Sequence, residues 1–468
     1  VHLGIGAFHR AHQAAIFEEA LNAGDLRWGI IAASLRSPAV RDQMAPQDGL
    51  YTMLVRDGSA DRAQVIGAVR QVIVAPEDPE ALLAALTAPD THIVTLTVTE
   101  KGYKLDPATG GLVEGDAQVA ADLVSLKAPQ TAPGYLVAAL ARRKKEGLTP
   151  FTAISCDNLP HNGQRLRGAV LDLARRHDPA LADWIAAEGA CPETMVDRIV
   201  PATTADDVAA LGRRLGVEDQ AMVKTEPFSQ WVIQDWFCGP RPAFGAGVQV
   251  TAAVAPWEEA KLRLLNGAHS GIAYLGGLAG IDHVHEVLTL PEARTFVEAL
   301  WDEAEATLTP PPELDVAAYR RDLMARFDNP TLRHRTRQIA MDGSQKLPQR
   351  LLAPIAARLE EGQGVDALSL AVAAWIRWQA GVDDQGAGHV VDDPLARPIA
   401  EALSGASDSR GRVDAILALG AIVPPKLAEH AAWRETLMKW LSVLETHGAR
   451  AALAKLRSEK DAAPVVVS

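Results

Sequence analysis

Val1-His2-Leu3-Gly4-Ile5-Gly6-Ala7-Phe8-His9-Arg10-Ala11-His12 opens the chain. Val1-His2-Leu3 is the tail of an apolar strand, Gly4 to Gly6 is a tight turn, and residues 11–23 predict a helix that stops at Gly24. A glycine turn between strand and helix is where α/β proteins hold a pyrophosphate. The glycines let the backbone approach the phosphates, and the helix start offers free N–H donors and the positive end of its dipole. The third glycine of the usual fingerprint is absent here. His9, Arg10 and His12 compensate on this reading by adding positive charge beside the dipole. The plainer alternative is an ordinary turn with solvated basic residues.

Residues 28–33, 92–98 and 151–156 read as further buried strands, rich in β-branched and small apolar residues. Helical stretches at residues 79–86 and 134–145 lie between them. Strands separated by helices imply crossover connections and a parallel sheet covered on both faces. After about residue 250 strand signals become scarce. Residues 258–274, 291–305, 349–361, 366–380 and 428–447 carry helical periodicity instead. Pro240, Arg241, Pro242, Gly245 and Gly247 punctuate the change. The expected architecture is α/β: a dinucleotide-binding domain over residues 1–250 and a mainly helical substrate domain over residues 251–468. The alanine-rich stretch after Arg450 reads as a final helix with a loose end.

The 468 residues are 48% apolar and 22% charged, the profile of an ordinary globular chain. Disordered, fibrous and disulfide-scaffold classes are excluded. Lys plus Arg number 46 against 59 Asp plus Glu, a formal charge of −13. Such a surface repels phosphate backbones, so nucleic acid is not an expected partner, whereas a small anion in a local basic pocket is compatible. Cys156, Cys191 and Cys238 are odd in number and widely spaced, with no zinc-knuckle spacing. They point to a reducing, cytoplasmic compartment. No apolar run reaches the roughly 18 residues of a membrane helix, and no signal-peptide pattern is seen. The chain begins at Val1 inside a strand without an initiating Met, so further residues are expected upstream. Nothing chooses between a monomer and a homodimer.

A dinucleotide site usually has an acid at the end of the second strand for a ribose 2′-OH. Here that strand runs into Ser34-Leu35-Arg36-Ser37-Pro38, with no carboxylate before Asp42. Ser34, Arg36 and Ser37 can accept a 2′-phosphate, which leaves NAD against NADP open on the residues alone. Residues 258–274 hold Lys261, Asn266 and His269. At about 100° per residue these fan over about 0°, 140° and 80°, less than half the helix. Leu262, Leu264, Leu265 and Ile272 imply burial. A desolvated lysine is drawn toward neutrality and suits a general acid/base. Asn266 can donate to a developing oxyanion, and His269 can hold a substrate hydroxyl. The competing reading is a snorkelling lysine, an exposed amide and a core histidine.

With these motifs assembled, the sequence resembles the polyol-specific long-chain dehydrogenases, the mannitol dehydrogenase and fructuronate reductase family. The matching segments are Gly4 to Gln13, Thr97-Val98-Thr99-Glu100-Lys101-Gly102-Tyr103, Ser155-Cys156-Asp157-Asn158, Met195-Val196-Asp197-Arg198, Lys261 to His269, and Asp342-Gly343-Ser344-Gln345-Lys346. The resemblance implies a Rossmann-type parallel-sheet N-terminal domain, a mostly α-helical C-terminal domain, and metal-independent hydride transfer between a nicotinamide and a sugar carbonyl. It assigns Lys261 as acid/base, Asn158 and Asn266 as carbonyl-polarising amides, and His269 as a substrate contact. Asp197 becomes an acid near the lysine, or alternatively a salt-bridge partner of Arg198. Gly4, Gly6, Phe8, His9, Arg10, Arg36 and Thr99 fall to the cofactor, and Lys346 and Arg337 to the substrate. His283-Val284-His285-Glu286 is the one metal-like run, and it reads as a surface turn.

Residues 333–350 resemble the fructuronate reductase branch, since mannitol dehydrogenases tend to carry an arginine where Gln338 stands. Leu159-Pro160-His161-Asn162-Gly163 resembles the mannitol branch instead. A uronate needs a cation for its carboxylate, and Lys346 or nearby arginines can supply one. The family's mannitol enzymes place an acidic pair where Pro38 and Ala39 stand. NAD(H) remains the preferred cofactor, with NADP(H) not excluded. The expected reaction interconverts D-fructuronate and D-mannonate. Oxidation of D-mannitol to D-fructose is the alternative within the family, and a non-catalytic protein that binds NADH and a sugar acid is the alternative outside it.

Overall fold

The strand that begins the chain, His2–Leu3, lies at the centre of a five-stranded parallel sheet in a computed structural model that describes residues 1–106, 109–245 and 247–462. From edge to edge the strands are Val69–Val74, Ile30–Ser34, His2–Leu3, Ile93–Leu96 and Thr152–Ser155. The order reverses at His2–Leu3. That reversal is the topological switch point, outside whose carboxyl ends α/β sheets bind ligands. Alternate residues face two separate cores. Leu3, Ala33, Val94 and Leu96 pack against Leu82, Leu86, Leu136 and Leu140. Ala32, Ile93 and Ile154 pack against Ala14, Ile16 and Phe17. Burial on both faces explains why these strands read as continuous apolar runs. Truncating a fully buried leucine such as Leu136 would cost roughly 2–5 kcal/mol.

The covering helices start where the chain supplies a cap. Asp78 accepts from the Ala81 N–H at the head of Pro79–Thr87, and Thr131 accepts from the Gly134 N–H at the head of Ala132–Lys145. Each such cap contributes about 1 kcal/mol. Val69–Val74 is a sheet strand that the sequence reading passed over, because this edge strand exposes Arg70 and Gln71 and breaks the apolar run. Two smaller sheets were also missed, being built of three- to six-residue strands. One joins Asp61–Ile66, Tyr51–Arg56 and Val223–Thr225, and the other joins Val248–Thr251, Gln230–Gln234 and Thr194–Asp197. The helix expected over residues 11–23 is two helices. Ala7–Ala11 stops at His12 (φ −119°, ψ −85°) and Gln13–Asn22 resumes.

The chain divides into two compact units, Val1–Val254 and Ala255–Ser468. In the second, Ala255–Ala260, a π-helical turn at Lys261–Asn266 and Gly267–Leu278 follow one another without interruption. Pro291–Glu305, Asp366–Trp378 and Ala431–Ala462 surround a core in which Trp301, Trp375, Trp433 and Trp440 are fully buried. Glu303 accepts from the Ala367 and Leu368 N–H groups, 2.9 Å each, and so caps Asp366–Trp378. Burial pushes its carboxyl up to about 7. The last helix breaks at Gly448 (φ 81°) and runs on to Ala462. The loose end expected beyond it lies outside the described residues. Among the described residues no helix is long and apolar enough to cross a membrane.

Candidate active site

Gly4 has φ 100°, and a Cβ there would drive into the Thr97 carbonyl oxygen. Glycine is therefore required for the first strand to abut the end of Ile93–Leu96. Gly6 differs. A Cβ there would meet only the Gly4 carbonyl oxygen, at 3.9 Å. The protein itself does not need glycine at position 6, whereas the close approach of a phosphate would. The turn opens on a cleft of about 300 Å³ whose walls include Gly4, Gly6, Ser34, Arg36, Val98 and Thr99. Its place at the switch point and its open backbone fit the pyrophosphate and ribose of a dinucleotide.

At the lip, Ser34 Oγ donates to the Ser37 carbonyl (2.7 Å) and accepts from the Arg36 and Ser37 N–H groups. Arg36 is exposed there. Asp42, the first carboxylate after the strand, pairs with Arg41 at 2.8 Å. The basic residues of the turn do not do what their positions promised. His9, Arg10 and His12 are all buried. Arg10 donates to the Ala221 carbonyl at 2.5 Å and accepts Tyr51 Oη on its own carbonyl at 2.6 Å. His12 Nε2 lies 2.9 Å from the Gln230 carbonyl, and half-buried Phe8 stacks on its ring. The His9 ring stacks on His2 at 3.4 Å. Burial holds His9 well below the usual histidine range and His2 at about 3, so both rings are neutral. These side chains anchor the first helical turn to the interior. His9 adds no charge beside the dipole, whereas the buried Arg10 guanidinium stays close to the turn, its Nε donating to the Gly6 carbonyl at 3.4 Å.

Asp157 lies just beyond Thr152–Ser155 and is a site residue that the sequence motif alone did not single out. Its carboxylate accepts from the Val98 N–H (3.0 Å), the Thr99 N–H (2.9 Å) and Tyr103 Oη (2.7 Å). Burial pushes this carboxyl up. Thr99 lies at φ 65°, ψ 165°, a region that costs a non-glycine residue about 1–3 kcal/mol. Asn158 follows Asp157 and is exposed. Asp197 ends the strand Thr194–Asp197, buried and opposite Gln230 in register. Its neighbour Arg198 donates to the Ala11 and Glu226 carbonyls, and burial lowers its guanidinium to about 10.

In the second unit, buried Lys261 begins the π-helical turn and half-buried Asn266 ends it. The angular fan worked out for an ideal α-helix therefore does not hold, because an i→i+5 turn takes in an extra residue. The turn is held from outside. Trp301 Nε1 donates to the Leu264 carbonyl (2.9 Å), and Arg263 donates to the Thr307 carbonyl (2.6 Å). A second π-helical turn, Pro348–Leu352, backs on Gly267, where a Cβ would lie 3.1 Å from the Arg350 carbonyl oxygen. Such turns concentrate at functional sites. His269 sits on Gly267–Leu278, with its ring 4.6 Å from Phe327 and 5.6 Å from His334. Its Nε2 is buried with no hydrogen-bond partner among the described residues. Burial, then the fields of His334, Arg326 and Arg350, hold this imidazole well below its usual range, so it is neutral.

Lys346 donates to the Met341 (2.5 Å) and Ile339 (3.4 Å) carbonyls at the end of the short helix Thr336–Ile339. It thus fastens backbone, which weakens its candidacy as a carboxylate partner. Arg337 is exposed on that same helix. Two further cations face His269: Arg326, buried and not singled out by the sequence, and half-buried Arg350, one of the nearby arginines of residues 333–350, which donates to Ser270 Oγ at 3.3 Å. The only sequence signal for Arg326 was an arginine at an interior-facing helix position. His283-Val284-His285-Glu286 forms a one-turn helix, Val284–Val287, with His283 at its N-cap and not a plain turn. Among the described residues no group of three or more His, Cys, Asp or Glu is placed to hold a metal.

Comparison with known proteins agrees with this layout. Residues 1–245 match the mannitol dehydrogenase Rossmann domain, and residues 253–442 match the mannitol dehydrogenase C-terminal domain. An uncharacterized oxidoreductase of Escherichia coli is 43% identical over 97% of this chain and 93% of its own length. The D-mannonate oxidoreductase of Escherichia coli is 42% identical over 97% of this chain and 95% of its own. A Pseudomonas fluorescens mannitol 2-dehydrogenase, solved as a ternary complex with NAD and D-mannitol, superposes with a TM-score of 0.80 at 35% identity. The match covers 98% of this chain and 94% of that one. A parallel sheet with an open glycine turn, a lysine on a π-helical turn and two matching domain models lead to one assignment: the chain belongs to the mannitol dehydrogenase family of oxidoreductases.

Proposed function

We propose that this oxidoreductase interconverts the ketone of D-fructuronate and the secondary alcohol of D-mannonate, with NAD(H) as its cofactor. The observation that carries the substrate assignment is the neutral His269 Nε2, without a hydrogen-bond partner among the described residues, in surroundings that hold buried Arg326 and half-buried Arg350. A buried imidazole without a partner is costly unless a ligand completes it, and arginines suit a carboxylate-bearing sugar.

Gly4, Gly6, Thr99 and Arg36 would hold the dinucleotide, which supplies the hydride when bound. The remaining steps belong to the chain. Asn158 and Asn266 donate to the carbonyl oxygen as it gains negative charge during reduction. Lys261 delivers the proton that completes the alcohol, and in oxidation it removes that proton. His269 hydrogen-bonds a substrate hydroxyl, and Asp197 is the accessory acid that the family resemblance assigns. Because its ammonium is already engaged by backbone carbonyls, Lys346 helps shape the substrate region and Arg350 is the better carboxylate partner. Cys156, Cys191 and Cys238 are free thiols, which supports a reducing, cytoplasmic setting.

The mannitol–fructose reading keeps one observation in its favour. The Leu159-to-Gly163 loop is tightly specified, with His161 at φ 52° and Gly163 packed on the Cys191 and Pro192 carbonyls. NADH oxidation with D-fructuronate and D-fructose side by side decides between the two. The proposal expects a preference for fructuronate of at least about tenfold in kcat/KM, and a preference for fructose would overturn it. Running the same assay with NADPH tests the Arg36 lip, where no acid stands to reject a 2′-phosphate.

A further inference from the structure

The carboxylate of Asp157 joins three parts of the first unit. Two of its donors, the Val98 and Thr99 N–H groups, belong to the loop that leaves the neighbouring strand Ile93–Leu96 and forms a wall of the cleft. The third donor, Tyr103 Oη, is fully buried and lies 2.6 Å from Ser155 Oγ, on the strand that leads into Asp157. The loop is thereby tied to the end of Thr152–Ser155. Thr99 keeps its left-handed φ of 65° because its own N–H and that of Val98 are both held by this one group. Asn158 follows directly in the chain, so its Cα is set by the same fixture.

We propose that Asp157 is a positioning residue for hydride transfer, holding Asn158 and the Val98–Thr99 backbone as one rigid wall. This inference rests on the role given above to Asn158. A carboxylate suits the task because it accepts from several donors at once. An asparagine of the same shape has a single acceptor oxygen and would turn its NH2 toward one backbone N–H.

The test compares Asp157→Asn, Asn158→Ala and the double variant in the full-length chain, reading kcat and, by fluorescence titration, NADH affinity. Asp157→Asn should lower kcat about 10- to 100-fold, the scale of a misplacement near 1 Å, with a much smaller change in NADH affinity. In the double variant kcat should fall no more than about twofold below Asn158→Ala alone, because both lesions act through one group. Tyr103→Phe removes one donor and leaves both backbone bonds. It should lower kcat a few-fold, and that loss should vanish in the Asn158→Ala background. Losses that multiply in full in either double variant would overturn the proposal, as would unchanged kcat in Asp157→Asn. Near-normal turnover of Asn158→Ala would overturn the role of Asn158 itself, and the inference with it.

Discussion

Beneath the glycine turn, His2, His9 and His12 are fully buried and surrounded by the fold's own groups. His2 lies within 3.1 Å of Thr95 Oγ1, Thr97 Oγ1 and the Gly4 carbonyl, and His12 reaches the Gln230 carbonyl. In the second unit, His269 and His334 are neutral for the same reason, burial. Yet His269 leaves Nε2 buried without a hydrogen-bond partner among the described residues. Both groups are desolvated imidazoles near a functional motif. What separates His2 from His269 is whether the protein has already used the hydrogen-bonding capacity of the ring; His9 is packed by its stacking on His2, although neither of its nitrogens has a hydrogen-bond partner among the described residues. His2, with both ring nitrogens engaged, supports the fold, whereas on the reading proposed above His269 keeps a nitrogen for the substrate.

The largest effect that would sharpen this contrast comes from Lys261, eight residues before His269. Lys261→Ala should reduce kcat by about 10³-fold or more, since acid–base groups contribute about 10²–10⁴-fold, while NADH still binds by fluorescence titration. Near-normal turnover would break the assignment of the whole helix.

Next come the histidines themselves. His269→Ala should lower kcat/KM by about 10- to 100-fold with little change in melting temperature, the pattern of a lost ligand contact. His9→Ala should do the reverse. It should destabilise the chain by about 2–4 kcal/mol, as removal of a packed core ring does, and leave kcat/KM of the folded enzyme near that of the parent. Denaturant titration and steady-state kinetics on both variants read the two effects separately. An exchange of the two patterns would erase the distinction.

The smallest effect is one of pH. His334 is lowered to about 4 by burial, then by Arg326. Above its ordinary range near 6.5, folded and unfolded forms are both neutral and its stability contribution is complete. As pH falls below about 6.5 the unfolded chain takes up a proton that the folded chain refuses until about 4, so stability falls with acidification. The slope is at most about 1.4 kcal/mol per pH unit for this one group. His334→Gln should flatten the melting-temperature profile between about pH 6.5 and 4. A steeper profile in that variant would contradict the sign.

The parallel sheet and the glycine turn were legible because they depend on local facts: apolar runs of the right length, and a backbone that only glycine permits at position 4. Lys261, Asn266 and His269 were legible as a group for the same reason, lying within one helical stretch. The π-helical turn that carries the first two was not. It is held by Trp301 and Arg263, whose partners lie 37 and 44 residues apart in sequence. Asp157 was quoted yet unread as a fixture, because its backbone donors stand 59 and 58 residues away. His9, Arg10 and His12 misled in the opposite direction. Their nearness to the turn in sequence suggests nearness to a ligand, but one short helical turn buries them, with Arg10 against Ala221 and Tyr51, His12 at the Gln230 carbonyl and His9 on the His2 ring.

The two glycines of the opening turn answer to different masters. Position 4 is closed by the Thr97 carbonyl, whereas at position 6 a Cβ would meet nothing nearer than the Gly4 carbonyl oxygen at 3.9 Å. A descendant of this chain that gave up its dinucleotide would still have to keep glycine at position 4 in order to fold. It would be free to drift at position 6, so a side chain appearing there would be an early sign of lost chemistry in a lineage whose architecture had not changed.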